Sequence, residues 1–506
     1  MRSQSRLNNS NTTSQLGAIA LLILALVVSA HMIVVDLRNT LRYGGTDMRG
    51  HVVGARLLTR GLDPYYYLWT PGDAQELLDP VDFRVTLTPA LLWTYGLIAE
   101  QPYPTLRFAW LVGQWSLLSL SLAVLARVNT TRQRAVVLFG VALLAIAANP
   151  AWRLHVERGQ LYVVWLAMLT AAYAFASRKT TRGELIAGGL IGMAVCLRPP
   201  LAVVMLPMLL LRRQFLAYAS GATTALLLAF FLIAASPAAW TSYLSTMLST
   251  KSQNYQGATE RPEISYPATI EGLANLKDTA EIHGVDASIR AVAETSTGTA
   301  LSPPQLITAL LITIGAYAAI LHNAARRASG PLPDSTDLVF ISGSVLVLVA
   351  ELFVHPQRFI YIDVQMLVPI ILIGKHLPTN KFTAVCAYLL LLAAFAAETP
   401  IFGRVFEAIG SFSLLIIAIG AQAINGTLGA QAVALADWTP ITRLHGEYTA
   451  LLLMLGLSIA YLLPHPTNRT SHAKSGPVLP SQIRNQIHQL ANTANTEHHP
   501  QSDAHP

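Results

Sequence analysis

Charge and cysteine are both scarce in this chain of 506 residues. Asp, Glu, Lys and Arg together make up 12% of it, against about a quarter in ordinary soluble domains, so a water-soluble globule is excluded. The two cysteines, Cys196 and Cys386, each sit inside an apolar run, which excludes a disulfide scaffold and a cysteine zinc site. Several chemical signatures are also missing. There is no Walker phosphate loop, no His-Glu-x-x-His pair, no dinucleotide glycine fingerprint and no nucleophile elbow. Without a nucleotide-binding domain, any activated substrate has to arrive from the membrane or from outside. Internal duplication of the kind many transporters carry is absent as well.

What the chain does have is apolar length. Hydrophobic residues make up 53% and the mean hydropathy is +0.46. Apolar runs extend from Leu16–Val35 to Tyr448–Leu463, and backbone polar groups in lipid must pair within their own segment, so these runs are helices. The reading is an all-α polytopic membrane protein with about 12 to 13 spans. The net charge of +7 therefore works as a topology signal rather than as affinity for nucleic acid. Arg127, Arg132, Arg134, Arg178, Lys179, Arg182, Arg212, Arg213, Lys375 and Lys381 punctuate the runs. Placing them in the cytoplasm puts the first loop (36–105), the Asn149–Gln160 turn, the central loop (236–305) and the turn after Val354 outside. A membrane domain over 1–464 and a polar, disordered tail over 465–506 follow. The tail's histidines lack regular ligand spacing. "LVVSAH" resembles a signal-peptidase site after Ala30, but the first span is read as a retained anchor.

Ionisable residues gather near the outer ends of the spans. Asp36 and Asp47 follow the first; Arg153, His155, Glu157 and Arg158 fill the second outer turn; Glu351, His355, Arg358 and Asp363 bracket "ELFVHPQRFIYID". In "TDMRGHVVGARLL", Val52, Val53, Leu57 and Leu58 form a stripe with Arg49 and Arg56 off it, predicting an amphipathic helix on the membrane surface with Asp47 near its N-terminus. There Asp47 could be a base or could merely complement the helix dipole. "GLDPYYYLW" reads as a turn begun by Asp63-Pro64, and Tyr65 and Tyr66 could anchor at the interface or stack on a sugar. The short runs Leu185–Leu197 and Leu201–Leu211 predict a hairpin with Arg198 at its tip, where a lone cation in the membrane is costly. "RGQLY" places Arg158 and Gln160 at another outer helix end. Arg158, Arg198 and Arg358 could each simply snorkel; together they could hold a phosphate.

These motifs resemble glycosyltransferase family 87, a family of GT-C class enzymes that includes polyprenyl-phosphate-mannose-dependent mannosyltransferases. The resemblance rests on the aspartate after the first span, then "GLDPYYY", "TLTPALLWTYGLI", "RGQLYVVWL" and "RGELIAGGLIGMAVCLRPPLAVVMLPMLLLRR". It covers roughly Leu16 to Ala235; beyond that the agreement is in the layout of spans. It implies a GT-C fold with extracytoplasmic loops carrying short helices. It also implies a multi-pass protein of the inner or plasma membrane that acts on the outer face, with a polyprenyl-phosphate sugar as donor and a glycolipid or glycan hydroxyl as acceptor. By resemblance, Asp47 is the catalytic base and His355 a second active-site residue. Arg49, Tyr65, Tyr66, Arg158, Gln160, Arg198 and Arg358 are the expected substrate-binding set. Two departures stand out: "ISYPATIEGL" replaces an asparagine-serine segment frequent in the family's central loop, and Arg198 stands where lysine is frequent.

The chemistry is compatible. A carboxylate that takes the acceptor's proton typically gives about a hundredfold to ten-thousandfold in rate. A departing lipid phosphate needs charge stabilisation, and a single in-line displacement inverts the anomeric centre. No cofactor or obligatory metal is expected, since no tight carboxylate cluster is visible. The rival readings are a secondary transporter or lipid flippase, and a structural subunit with a decayed site. Long outer loops, and charges at helix ends rather than the midplane, stand against transport.

Overall fold

The computed structural model describes residues 2–42, 45–67, 85, 87–147, 149–198, 200–248, 288–291, 293, 301–327, 335–354, 360–377, 382–396 and 451–458. All the regular elements among them are helical. In chain order they are α1 (Arg2–Arg42), α2 (Thr46–Thr59), α3 (Pro89–Gly96), α4 (Tyr103–Arg127), α5 (Arg132–Ala147), α6 (Pro150–Arg158), α7 (Tyr162–Ala176), α8 (Thr181–Leu197), α9 (Pro200–Leu211), α10 (Phe215–Ala235), α11 (Pro237–Leu248), α12 (Pro303–Arg327) and α13 (Ser335–Val354). A 3-10 segment over Ile360–Met366 leads into α14 (Leu367–His376), and α15 covers Phe382–Ala396. Segments within α1, α4, α10, α12 and α13 are long and apolar enough to cross a bilayer. The joined pair α5 and α6, bent by 66°, would make a sixth. The other apolar runs within the described residues form shorter helices, and the run Ile409–Ile424 and the 465–506 tail lie outside them.

Where the sequence suggested a plain turn over Asn149–Gln160, the chain forms α6. Its start and stop are local. Asn149 is extended and its side chain accepts from the Ala151 amide at 2.7 Å, Pro150 supplies a preset φ, and Gly159 closes the helix in the left-handed region at φ 73°. Helix α2 forms where its apolar stripe predicted, but it does not lie on a lipid surface. Val52, Val53, Leu57 and Leu58 are buried, and so are Arg49 and Arg56 on the other side. Arg56 spends its guanidinium on the carbonyls of Ala99 (2.7 Å) and Gln101 (3.1 Å), so the α3–α4 connection covers the face that was expected to meet solvent.

The α8–α9 pair is the anticipated hairpin. Helices α8 and α10 run parallel in close contact, Gly188 lying against Ala217 and Gly192 against Gly221 and Ala225, while α9 returns between them. A Cβ on either α8 glycine would collide with the carbonyl of the facing helix. Lipid is as apolar as leucine, so burial alone does not drive helices together there; close backbone approach through small residues supplies the contact instead. Helix α13 sits at the centre of the bundle, almost wholly covered by its neighbours.

The basic end of the bundle is closed by the ends of α4, α5, α7, α13 and α14. Arg134 donates to the carbonyls of Gly374 and Leu377, both at 2.9 Å, and Lys375 donates to the Val128 carbonyl at 2.7 Å. Asp337 accepts from the Tyr173 hydroxyl at 2.6 Å and pairs with His376 at 2.8 Å.

Candidate active site

The opposite end of the bundle collects the end of α1, the starts of α2, α4 and α7, the ends of α6 and α13, the α8–α9 tip and the 3-10 segment. Asp47 stands in the first turn of α2. The helix begins at Gly45, a left-handed residue (φ 69°) with no capping side chain, and Asp47 does not cap it either. Its carboxylate turns to the end of α6 instead. There Arg158 Nη1 reaches Oδ2 at 3.2 Å and Gln160 Nε2 donates to the same oxygen. Asp47 and Arg158 keep 17% and 13% of their side-chain surface open, so the pair is reachable from outside the protein.

A second layer lies beside this pair. Arg158 sits 5.8 Å from the Tyr361 ring centre, Tyr361 packs on Tyr162 at 5.6 Å, and Arg198 lies over Tyr162 at 4.3 Å and Trp165 at 5.1 Å. Arg198 is paired with Glu351 at 2.5 Å, and both are buried. The partner that a cation at the hairpin tip requires is thus Glu351, from the end of α13.

Of the expected residues, the structure brings Asp47, Arg158 and Gln160 into direct contact, with Arg198 connected to them through two tyrosines. Arg49 is buried within α2. Tyr65 goes elsewhere: it is buried, and its hydroxyl donates to the Leu87 carbonyl at 2.7 Å. Asp63 explains that placement. Its Oδ1 accepts from the Tyr65 and Tyr66 amides (2.8 and 3.3 Å) and its Oδ2 from the Ser242 hydroxyl at 2.5 Å, an Asx turn that ties the first loop to α11. Tyr66 remains exposed near Ser245. His355 and Arg358 lie outside the described residues.

Several residues of this region are ones the sequence did not single out. Tyr162, Trp165 and Tyr361 wall the two arginines, and Arg107, Trp110 and Gln114 of α4 stand behind the α6 turn. The signal was present: an arginine and a glutamine inside an apolar helix are expensive and mark polar partners. His51, one turn beyond Asp47, is buried against Tyr95, and burial holds its imidazole down at about 4 although Asp47 pulls the other way. His155 serves packing: it stacks on Trp152 at 5.2 Å and its Nε2 accepts from the Val163 amide at 3.2 Å, while burial pushes its imidazole well below the ordinary histidine range.

A helical membrane bundle with an accessible carboxylate and flanking cations at one end is the class of protein this geometry defines. Residues 88–354, more than half of the chain, match the model of glycosyltransferase family 87. The chain belongs to that family and is a membrane glycosyltransferase. The match reaches α13, well past the Leu16–Ala235 region in which the motifs lie. Arg158, Gln160, Arg198 and Glu351 fall within it, and Asp47 lies upstream. No curated protein and no solved structure gives a match.

Proposed function

We propose that the protein transfers a hexose, mannose first among candidates, from a polyprenyl-phosphate donor to a hydroxyl of a glycolipid or glycan, with Asp47 as general base. The carrying observation is the open Asp47 carboxylate with Arg158 and Gln160 both on Oδ2. Those two contacts orient the group so that Oδ1 can take the acceptor's proton. As the acceptor oxygen bonds to the anomeric carbon, the bond from that carbon to the phosphate oxygen breaks. The proton passes to Asp47 and the polyprenyl phosphate leaves with the electron pair. One such displacement inverts the centre. Arg158, the cation beside the open carboxylate, is placed to meet the charge that develops on the leaving phosphate; Arg198 contributes from behind the tyrosines, its own charge shared with Glu351.

The site lies at the end opposite Arg127, Arg134 and Lys375. By the bias of basic residues towards the cytoplasm, it faces outward from the cell membrane, where a lipid-linked donor presents its head group. The experiment is a donor panel: membranes carrying the wild type are given polyprenyl-phosphate mannose, glucose or arabinose, each labelled in the sugar. Labelled glycolipid or glycan from one donor, with the inverted anomeric configuration, is the expected result. Retained configuration would refute the single displacement, and no product from any donor would refute the lipid-phosphate donor.

A further inference from the structure

The turn that delivers Arg158 and Gln160 to Asp47 is held from behind by one face of α4. Arg107 Nη2 donates to the carbonyls of Val156 and Glu157, at 2.8 and 2.7 Å. One turn on, Trp110 Nε1 donates to the Gly159 carbonyl at 3.2 Å, and a further turn on Gln114 Nε2 donates to the Gln160 carbonyl at 3.1 Å. The spacing i, i+3, i+7 puts all three on one face. The Val156 and Glu157 carbonyls lie in the last turn of α6, where a helix runs short of its own amide donors, although the Gly159 amide already reaches Val156 O at 3.1 Å; a cation there also meets the negative end of the dipole.

Arg107 reaches further than this turn. A side chain at Gly45 would strike its guanidinium, and one at Gly159 would strike Met48 of α2, so the start of α2 and the end of α6 both close on the same spot. Gly45 and Gly159 have φ of 69° and 73°, in the left-handed region where glycine is favoured. Tyr103, one turn before Arg107, adds a hydroxyl bond to the Gly45 carbonyl at 3.1 Å. Arg107 itself is buried, and no carboxylate is ion-paired to it among the described residues. A buried cation spent on two backbone carbonyls is a costly arrangement, and its return is the fixed direction of the residues on either side of Gly159.

We propose that Arg107 is a positioning residue for glycosyl transfer: by clamping the Val156 and Glu157 carbonyls it sets the α6 turn so that Arg158 and Gln160 converge on Asp47. Its kinetic consequence rests on the reading of Asp47 as base; its structural consequence does not. Both are measured on the full chain in lipid nanodiscs, with Arg107→Gln, Arg107→Lys and Trp110→Phe beside the wild type.

Hydrogen exchange reads the clamp without any donor. Arg107→Gln should speed amide exchange over residues 155–161 by at least about tenfold, leave 372–376 at the far end unchanged, and be partly rescued in Arg107→Lys. Trp110→Phe, which loses only the donor to Gly159, should speed residues 158–161 less, and it decides the matter if Arg107→Gln does not fold. Exchange over 155–161 that stays at the wild-type rate overturns the proposal. With polyprenyl-phosphate mannose, Arg107→Gln should lower kcat roughly a hundredfold with little change in donor KM. In an Arg158→Gln background the same change should cost much less, because the group it positions is gone. An equal factor in both backgrounds overturns the positioning role. Absence of turnover in the wild type counts against the donor assignment, and the exchange result still decides the clamp.

Discussion

The two ends of this bundle use the same residue types to opposite effect. At the basic end Arg134 and Lys375 donate hydrogen bonds to backbone carbonyls of neighbouring segments, and Asp337 is taken up by Tyr173 and His376. Those charges are taken up by the protein itself and act as a seal, with His376 at its rim keeping 27% of its side-chain surface open. At the other end Asp47 and Arg158 meet through side chains, on one carboxylate oxygen, with surface left open on both. What separates a seal from a site here is whether the partners use up the charged group's bonding capacity, and whether water or ligand can reach what is left.

The sharpest way to break the comparison is to remove a charge from each end. Arg158→Gln should lower transfer by about a hundredfold, as loss of a donor to developing charge typically does, and should leave the unfolding midpoint nearly in place. If stability drops and turnover per folded molecule does not, the site end is a second seal. Between the ends, Gly192→Val drives a branched side chain into the α10 backbone. It should destabilise the fold by about 1–3 kcal/mol in a chemical or thermal melt. Asp337→Asn should cost about 2 kcal/mol of stability through its bonds to Tyr173 and His376, with turnover of the remaining folded enzyme unchanged.

The smallest effect concerns pH. His51 ionises at about 4 in the fold and near 6.5 when unfolded, so the unfolded chain binds the extra proton between those values. Stability should therefore be full above pH 6.5 and decline as pH falls towards 4. In His51→Gln the slope of unfolding midpoint against pH over that window should flatten.

Much of this was legible in the sequence. Apolar runs separated by arginines gave the helical membrane class, and the two runs Leu185–Leu197 and Leu201–Leu211, each too short to span, gave the hairpin with Arg198 at its tip. Asp47 could be placed near the start of α2 from a stripe of four apolar residues alone. Other parts depended on contacts across the chain. Tyr65 and Tyr66 are neighbours in sequence, but the Asx turn at Asp63 sends one into the core and leaves the other outside. Arg56 looked like the solvent side of an amphipathic helix because nothing local indicates that the Ala99 and Gln101 carbonyls will cover it. Helix α6 was a missed local signal, since Asn149-Pro150 and Gly159 are ordinary start and stop residues. The Arg198–Glu351 pair spans 153 positions and follows only from the packing of the hairpin tip against α13.

The most direct test of the central claim compares sugar transfer from labelled polyprenyl-phosphate donors by the wild type and by Asp47→Asn, each normalised to folded protein in the same membranes. The amide keeps the shape and can still meet Arg158, but it cannot take a proton. Loss of at least about a hundredfold in product, with donor still bound, is the predicted result. Equal product from the two would contradict the account and leave Asp47 a structural neighbour of Arg158.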